Sequence, residues 1–199
     1  MRTVIVALWV AGLVASPNAF AQHAGGGAGS RATVPAPEVA QFDFLVGQWD
    51  LVVRPAATSL ATRIHGAPRL SGTWKAWRAF DGFGVEDELR IVDGSGNPIT
   101  LGHAVRVYDP AARRWAISGL DVYRSRFTSS TATWTAGEMV VTGASTDQEG
   151  NPITVRTRFF EIAPAGFRME QDRSTDGGRT WAKATLKIEA KRVAALAPR

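Results

Sequence analysis

From Gln48 onwards the chain consists of short segments in which apolar and polar residues alternate, separated by turn-forming residues. Alternation with a period of two is typical of β-strands, whereas a helix needs a period near 3.6. The breaks carry Gly, Asn, Asp or Pro, as at Asp109-Pro110, which suits tight turns. The pattern predicts strands at 48–54, 69–79, 84–92, 98–108, 114–122, 125–134, 138–146, 152–162, 166–174 and 180–191.

Short connections between successive strands make chain neighbours antiparallel. An open meander of about ten strands leaves two unpaired edges, and closing the sheet removes both of them. We therefore predict an all-β fold, an antiparallel up-and-down β-barrel of about ten strands. Residues 37–45 precede the first strand and predict a short N-terminal helix or turn that plugs one end of the barrel. Only the segment 55–68 is loose, and we expect it to be able to act as a lid.

The first residues have the organisation of an export signal. A basic start at Met1-Arg2 is followed by an apolar run and by the small-x-small cleavage sequence Ala19-Phe20-Ala21. The apolar run has about 12 residues, too few to span a bilayer, so we expect no membrane span. We predict cleavage after Ala21 and a periplasmic or secreted location. The expected organisation is a signal peptide at 1–21, a flexible tether at 22–37, a β-barrel domain at 38–192 and a C-terminal tail at 193–199.

The composition offers few reactive groups. The 199 residues include no cysteine and three histidines, so disulfides, thiol nucleophiles and thiolate metal sites are excluded. The sequences of zinc proteases, serine hydrolases and phosphate-binding loops are absent, and we expect neither a metal nor a cofactor. The formal net charge is +5. The arginines of the chain lie in short pairs rather than in dense runs, so we expect no nucleic-acid partner. The sequence leaves the oligomeric state open.

Three segments resemble a secreted bacterial lipocalin-like family of unknown function, which is similar in architecture to calycins and nitrobindin-type ten-stranded barrels. They are Phe42-Asp43-Phe44-Leu45-Val46-Gly47-Gln48-Trp49-Asp50, Tyr108-Asp109-Pro110 before Trp115, and Ser174-Thr175-Asp176-Gly177-Gly178-Arg179-Thr180-Trp181. The resemblance implies a lipocalin/calycin-like barrel whose lumen holds a small apolar molecule, and it brings no catalytic residue. Haem-binding relatives use an axial histidine late in the chain, whereas no histidine follows His103 here.

The hairpin of strands 84–92 and 98–108 holds the main candidate for chemistry. Its apolar residues align if Asp87 lies directly opposite His103, and a slip of one residue would turn one apolar face outward. Directly opposite side chains have Cβ atoms about 4.5–5.5 Å apart. We therefore predict an Asp87–His103 hydrogen bond inside the barrel. An aspartate can orient one imidazole nitrogen and leave the other free to move a proton.

The turn of this hairpin has an echo later in the chain. Asp93-Gly94-Ser95-Gly96-Asn97-Pro98-Ile99-Thr100 resembles Asp147-Gln148-Glu149-Gly150-Asn151-Pro152-Ile153-Thr154. We interpret the two segments as two independent occurrences of the same type of hairpin turn, with an old duplication as the alternative.

Further candidates for ligand contact are two tryptophans and an arginine. Trp74 or Trp77 is predicted to face the lumen and stack on a flat ligand, since alternation allows only one of them inside. Arg156 and Arg158 share a strand face. We expect them to form surface ion pairs with Glu170 or Asp172, and the alternative places Arg158 in the lumen against a carboxylate of the ligand.

Three functions stay open. The leading hypothesis is an exported barrel that binds a small apolar or aromatic ligand in its lumen, oriented by His103 and Asp87. The second is an isomerase, cyclase or lyase type of enzyme in which Asp87 and His103 are the catalytic proton-transfer pair. The third is an envelope protein whose barrel is filled and acts through contacts with partners. A lumen filled by side chains would exclude the first two.

Overall fold

The computed structural model describes residues 34–57, 67–147 and 150–194. Ten strands form one closed barrel in which each strand is antiparallel to its neighbours along the chain and β1 pairs with β10. The strands are β1 Gly47–Pro55, β2 Leu70–Ala79, β3 Gly84–Val92, β4 Pro98–Asp109, β5 Arg114–Asp121, β6 Arg126–Thr135, β7 Glu138–Thr146, β8 Pro152–Ala163, β9 Gly166–Ser174 and β10 Ala182–Ala194. The predicted antiparallel barrel is confirmed.

Two short 3-10 helices accompany the strands, at Pro37–Leu45 before β1 and at Phe80–Gly82 between β2 and β3. The first is the predicted N-terminal helix. Within the described ranges, no helix is long and apolar enough to cross a lipid bilayer. The predicted signal peptide, residues 22–33 of the predicted tether, residues 58–66 of the loose segment and residues 195–199 of the predicted C-terminal tail lie outside the described residues.

One end of the barrel, which we call the closed half, is covered by the Pro37–Leu45 helix and filled with aromatic side chains. Phe42 of the helix is fully buried, and its ring meets that of Trp115 edge to face with a centroid distance of 4.7 Å. Trp49 Nε1 donates to the carbonyl oxygen of Leu45 at 2.7 Å. Other buried side chains here are Trp74, Met139, Phe159, Phe167 and Met169. Burying these large rings and satisfying their indole N–H groups stabilises this half.

The opposite end, the open half, has small residues where the closed half has rings. Gly102, Gly119 and Gly143 lie at inward-facing positions of β4, β5 and β7. A Cβ atom on Gly119 would come within 2.7 Å of Thr128 Oγ1, and one on Gly143 within 2.6 Å of the Cβ atom of Ser130. The neighbouring strands therefore approach closely at these glycines, and no large side chain extends from them into the interior.

Candidate functional site

The predicted pairing of Asp87 with His103 is wrong. In the β3–β4 ladder Asp87 lies opposite Ala104, and His103 lies opposite Glu88. Asp87 faces the interior, whereas His103 is on the outer face, where its ring lies 6.1 Å from that of Trp77. The structure does not bring the two predicted catalytic side chains together.

A β-bulge beside the turn explains the error. Val92 pairs with Pro98, but Ile91 pairs with Thr100, so that Ile99 is the extra residue on β4. One extra residue turns every later side chain of that strand to the opposite face. The alternation along β4 was therefore predicted correctly, and the face was not.

Asp87 belongs instead to a buried polar network with Trp74 and Arg106. Asp87 is 2% exposed and Arg106 is 6% exposed. Trp74 Nε1 donates to Asp87 Oδ1 at 2.8 Å, and Arg106 Nη1 forms an ion pair with Asp87 Oδ2. The residues directly opposite Asp87 on β2 and β4 are Ala76 and Ala104, whose small side chains leave room for the indole and the guanidinium.

Arg106, the partner that Asp87 has in the structure, is not among the residues that the sequence pattern predicts for the site. Its guanidinium lies over the ring of Phe42, 5.2 Å from the centroid. Burial lowers the pKa of Arg106 to about 9, so the group stays protonated at neutral pH. The available signal was the position of Arg106 between Val105 and Val107. A charged residue in an otherwise apolar stretch of strand needs a carboxylate partner if its side chain faces the interior. The network lies within the closed half, against the ring of Phe42.

The two tryptophans lie on opposite faces of β2. Trp74 is buried in the closed half, with its rings 5.8 Å from Phe159 and 6.0 Å from Phe167. Trp77 is on the outer face, where its Nε1 donates to Glu86 Oε2 at 3.1 Å. Neither indole lines the open half.

Arg158 lies on the outer face of β8, because its neighbour Phe159 is buried in the interior. Its Nε is 3.4 Å from Glu138 Oε2. This position contradicts the alternative in which Arg158 binds a ligand in the lumen. The predicted pairing with Asp172 is confirmed for Arg156, whose Nη2 donates to Asp172 Oδ2 at 2.8 Å, but Asp172 is buried rather than solvated.

A cavity of about 410 Å³ occupies the open half. One wall, on β7 and β8, is aliphatic and consists of Val141, Ile153 and Val155. The remaining inward-facing side chains are mainly hydroxyl or amide groups: Thr100, Thr128, Ser130, Ser145, Thr157 and Gln171. The interior of the barrel is therefore filled at one end and hollow, with a mixed polar and aliphatic lining, at the other.

Charged side chains surround the mouth of this cavity. Arg124 Nη1 lies 2.8 Å from Asp121 Oδ2, while Arg126 Nη2 is 4.0 Å from the same oxygen. Arg126 Nη1 donates to Thr146 Oγ1. Arg126 Nε is buried and has no hydrogen-bond partner among the described residues. Asp121 is thus closer to Arg124 than to Arg126, and the Nε–H group of Arg126 has no hydrogen-bond acceptor at the cavity.

Arg173 enters the same mouth from β9. Its Nε donates to Gln171 Oε1 at 3.4 Å. A second hollow of about 590 Å³ lies beside the cavity and shares Asp147, Ile153 and Arg173 with it. Alternation along the strands did not reveal Arg126 and Arg173, because it assigns the apolar strand faces to the interior. Their available signal was position, since both are inward-facing residues near the same end of the barrel.

The comparisons with known proteins identify the architecture. No family model and no curated protein matches the chain. The structure of the S-type phycobiliprotein lyase CPES from Guillardia theta is similar with a TM-score of 0.53 and 12% identity, covering 77% of this chain and 90% of that one. EF1p2_mFAP2b bound to DFHBI is similar with a TM-score of 0.41 and 10% identity, covering 78% of this chain and 98% of that one. At these identities the likeness to the lyase shows the fold alone, and that fold is a calycin-like ten-stranded barrel.

Proposed function

We propose that this protein is an exported barrel that binds a small molecule in its open half. The observation that carries the proposal is the cavity of about 410 Å³ in a barrel whose other half is tightly filled. Small-molecule sites occupy roughly 300–1,000 Å³ and are common in the mouths of β-barrels. A filled closed half gives the cavity a rigid base, which limits the entropy lost on binding.

The ligand is proposed to combine an apolar or aromatic part with polar atoms. The apolar part lies against Val141, Ile153 and Val155, which would bury its surface. Polar atoms face the hydroxyl groups of Thr128 and Thr157 on the other walls. Orientation of the ligand thus depends on hydroxyl and charged groups of the open half rather than on the buried aspartate or the outer-face histidine.

Binding is favoured over the two alternatives by the same geometry. The enzyme hypothesis depended on Asp87 and His103, which lie on opposite faces of the barrel wall. The hypothesis of a filled barrel fits the closed half and not the open one. Export rests on residues 1–21, and N-terminal sequencing of protein recovered from a periplasmic or culture fraction tests it, with Gln22 as the expected first residue.

The binding proposal is tested with 8-anilino-1-naphthalenesulfonate (ANS), a fluorescent dye with an aromatic part and a sulfonate. We expect saturable binding to the protein. In T128F the new ring extends into the cavity, and we expect the Kd to rise at least about tenfold, the change that corresponds to about 1.4 kcal/mol. T133F places the same ring on the exposed outer side of β6 and is the control.

Two results would contradict the proposal: no saturable ANS binding to the unmodified protein, or equal binding by T128F and T133F, which would place the dye outside the cavity. Circular dichroism and the urea midpoint establish that T128F is folded before its binding is compared.

A further inference from the structure

We infer that the ligand of the open half carries an oxyanion, such as a carboxylate, sulfonate or phosphate group, which binds Arg126 and Arg173 at the cavity mouth. The inference rests on the proposed function, because it assigns the chemistry of the molecule that occupies the same cavity. It goes beyond a small amphipathic ligand by naming the group that fixes its orientation and the two side chains that hold it.

Arg126 has an N–H group that can donate a hydrogen bond to the oxyanion. Its Nε is buried without a hydrogen-bond partner among the described residues, and an unsatisfied buried donor is costly. Asp121, the carboxylate beside it, is already 2.8 Å from Arg124 and 4.0 Å from Arg126. A guanidinium presents Nε and a terminal nitrogen in one plane, which matches two oxygens of an oxyanion.

Arg173 supplies a second positive charge from another strand. Among the residues that the structure describes, no carboxylate oxygen forms an ion pair with it within 4.0 Å, and its hydrogen bond is to the neutral amide of Gln171. It faces both the cavity and the adjoining hollow. An anion at the mouth can therefore approach Arg173 without displacing a protein carboxylate.

Several strand arginines away from the mouth have a close carboxylate partner. Arg54, Arg156 and Arg168 on the outer face lie 2.7, 2.8 and 3.0 Å from a glutamate or aspartate oxygen. The buried Arg106 also has its carboxylate. At the mouth, Arg126 Nη2 is 4.0 Å from Asp121 Oδ2 and Arg173 forms no ion pair with a described residue, and both arginines lie beside an aliphatic wall that a small molecule can cover. An electropositive concave surface of this kind attracts anions.

The test compares two dyes that share an aromatic frame. ANS carries a sulfonate, and N-phenyl-1-naphthylamine lacks it and is neutral. We expect R126Q and R173Q each to raise the Kd of ANS, R126Q by about tenfold or more, as for loss of a charge-assisted hydrogen bond. Neither variant should change the Kd of N-phenyl-1-naphthylamine by more than about twofold. R126K keeps the charge but loses the planar pair of donors, and we expect an intermediate Kd for ANS.

R114Q is the matched control, since it removes the same charge from an exposed residue at the closed end. We expect it to leave the binding of both dyes unchanged. Because Arg126 also bonds Thr146, the urea midpoint of R126Q is measured beside its affinity, and R173Q provides an independent arm.

The results separate the inference from the proposed function. If T128F blocks ANS binding but R126Q and R173Q leave the Kd within about twofold, the oxyanion inference is overturned and the binding cavity stands. If R114Q weakens ANS binding as much as the mouth variants, general charge explains the effect and the inference is again overturned. If ANS binding is absent or insensitive to T128F, the proposed function fails and the inference fails with it.

Discussion

The hairpins β3–β4 and β7–β8 share nearly the same turn and differ in register. In the first turn Asp93 Oδ1 accepts the backbone N–H of Asn97 at 2.9 Å, and in the second Asp147 Oδ1 accepts that of Asn151 at 2.7 Å. The backbone N–H of each aspartate donates to the carbonyl oxygen of the corresponding asparagine at 3.0 Å. The hydrogen bonds between the aspartate and the asparagine are therefore the same in the two turns.

The strands beyond the turns differ by one residue. In β7–β8 the pairing runs without interruption from Thr146 opposite Pro152 through Ser145 opposite Ile153. In β3–β4 the bulge at Ile99 interrupts it. Consequently Ile153 faces the interior and is 7% exposed, whereas Ile99 faces outward and is 40% exposed.

The difference shows that the barrel interior, rather than the turn, decides which face of a strand points inward. The bulge brings Arg106 inside, where Asp87 is its partner. The uninterrupted register of β8 keeps Arg156 and Arg158 outside, where Asp172 and Glu138 lie. In both hairpins these arginines have a carboxylate partner on the face that they occupy, and the buried Arg106 needs one because a charge without a partner is costly to bury.

The largest change in the free energy of unfolding is expected from removing the carboxylate of Asp87, the partner of Arg106 in the bulged hairpin. D87A leaves the Arg106 charge buried without its ion pair and Trp74 Nε1 without its acceptor, and we expect it to lower the free energy of unfolding by about 3–5 kcal/mol. V141A changes the corresponding residue of β7 and should cost less, about 1–1.5 kcal/mol. Urea unfolding of both variants measures the difference. Equal losses would show that the buried pair does not stabilise the bulged hairpin.

An engineered disulfide can test the register between β3 and β4 directly. The chain has no cysteine of its own, so only the introduced pair can react. Glu88 and His103 are directly opposite, so E88C/H103C should oxidise readily, and closing a loop of about 15 residues should stabilise the fold by about 3 kcal/mol. E88C/G102C joins the two positions that would be directly opposite without the bulge, and it should not form the bond because residue 102 is on the inner face. Mass spectrometry and urea unfolding, with and without reductant, check both. A disulfide in the control and none in E88C/H103C would contradict the bulge.

The two isoleucines after the shared turn sharpen the comparison. I153A removes a buried side chain from the wall of the open half, and we expect a loss of about 2 kcal/mol in the free energy of unfolding. I99A removes an outward-facing side chain and should cost about 0.5 kcal/mol or less. Urea unfolding of the pair measures the difference. If I99A costs as much as I153A, the outward position of Ile99 is wrong.

The smallest effect concerns the turn before the bulge. Hydrogen bonds from the Asn97 side chain and from the backbone N–H groups of Asn97 and Ser95 hold the pKa of Asp93 below its usual value near 3.8. A lowered folded-state pKa stabilises the protein above about pH 4, and this contribution is lost as the pH falls through the folded value. The urea midpoints of D93N and the unmodified protein should therefore differ at pH 6 and converge as the pH falls below about 4. A difference that does not change with pH would contradict this role.

Much of the fold could be predicted from local patterns. Strand positions follow from alternation and from turn residues such as Asp109-Pro110 and Asn97, both of which act over a few neighbouring residues. Closure of the sheet follows from the cost of leaving two edges unpaired. The covering helix at Pro37–Leu45 and the outer ion pair of Arg156 with Asp172 were also accessible, because each depends on short-range sequence and hairpin pairing.

The candidate site could not be derived in the same way. A single extra residue at Ile99 moves His103 outside, although its turn shares the aspartate, the last glycine and the asparagine with the turn before Ile153. The hollow depends on residue volumes that meet from separate strands, with Gly119 and Gly143 in the open half and Phe159 and Phe167 in the closed half. The sequence by itself determined the strands and their closure, because those depend on neighbours along the chain. Only the tertiary structure decided which faces turned inward and where space remained, because charges and volumes balance across the whole barrel.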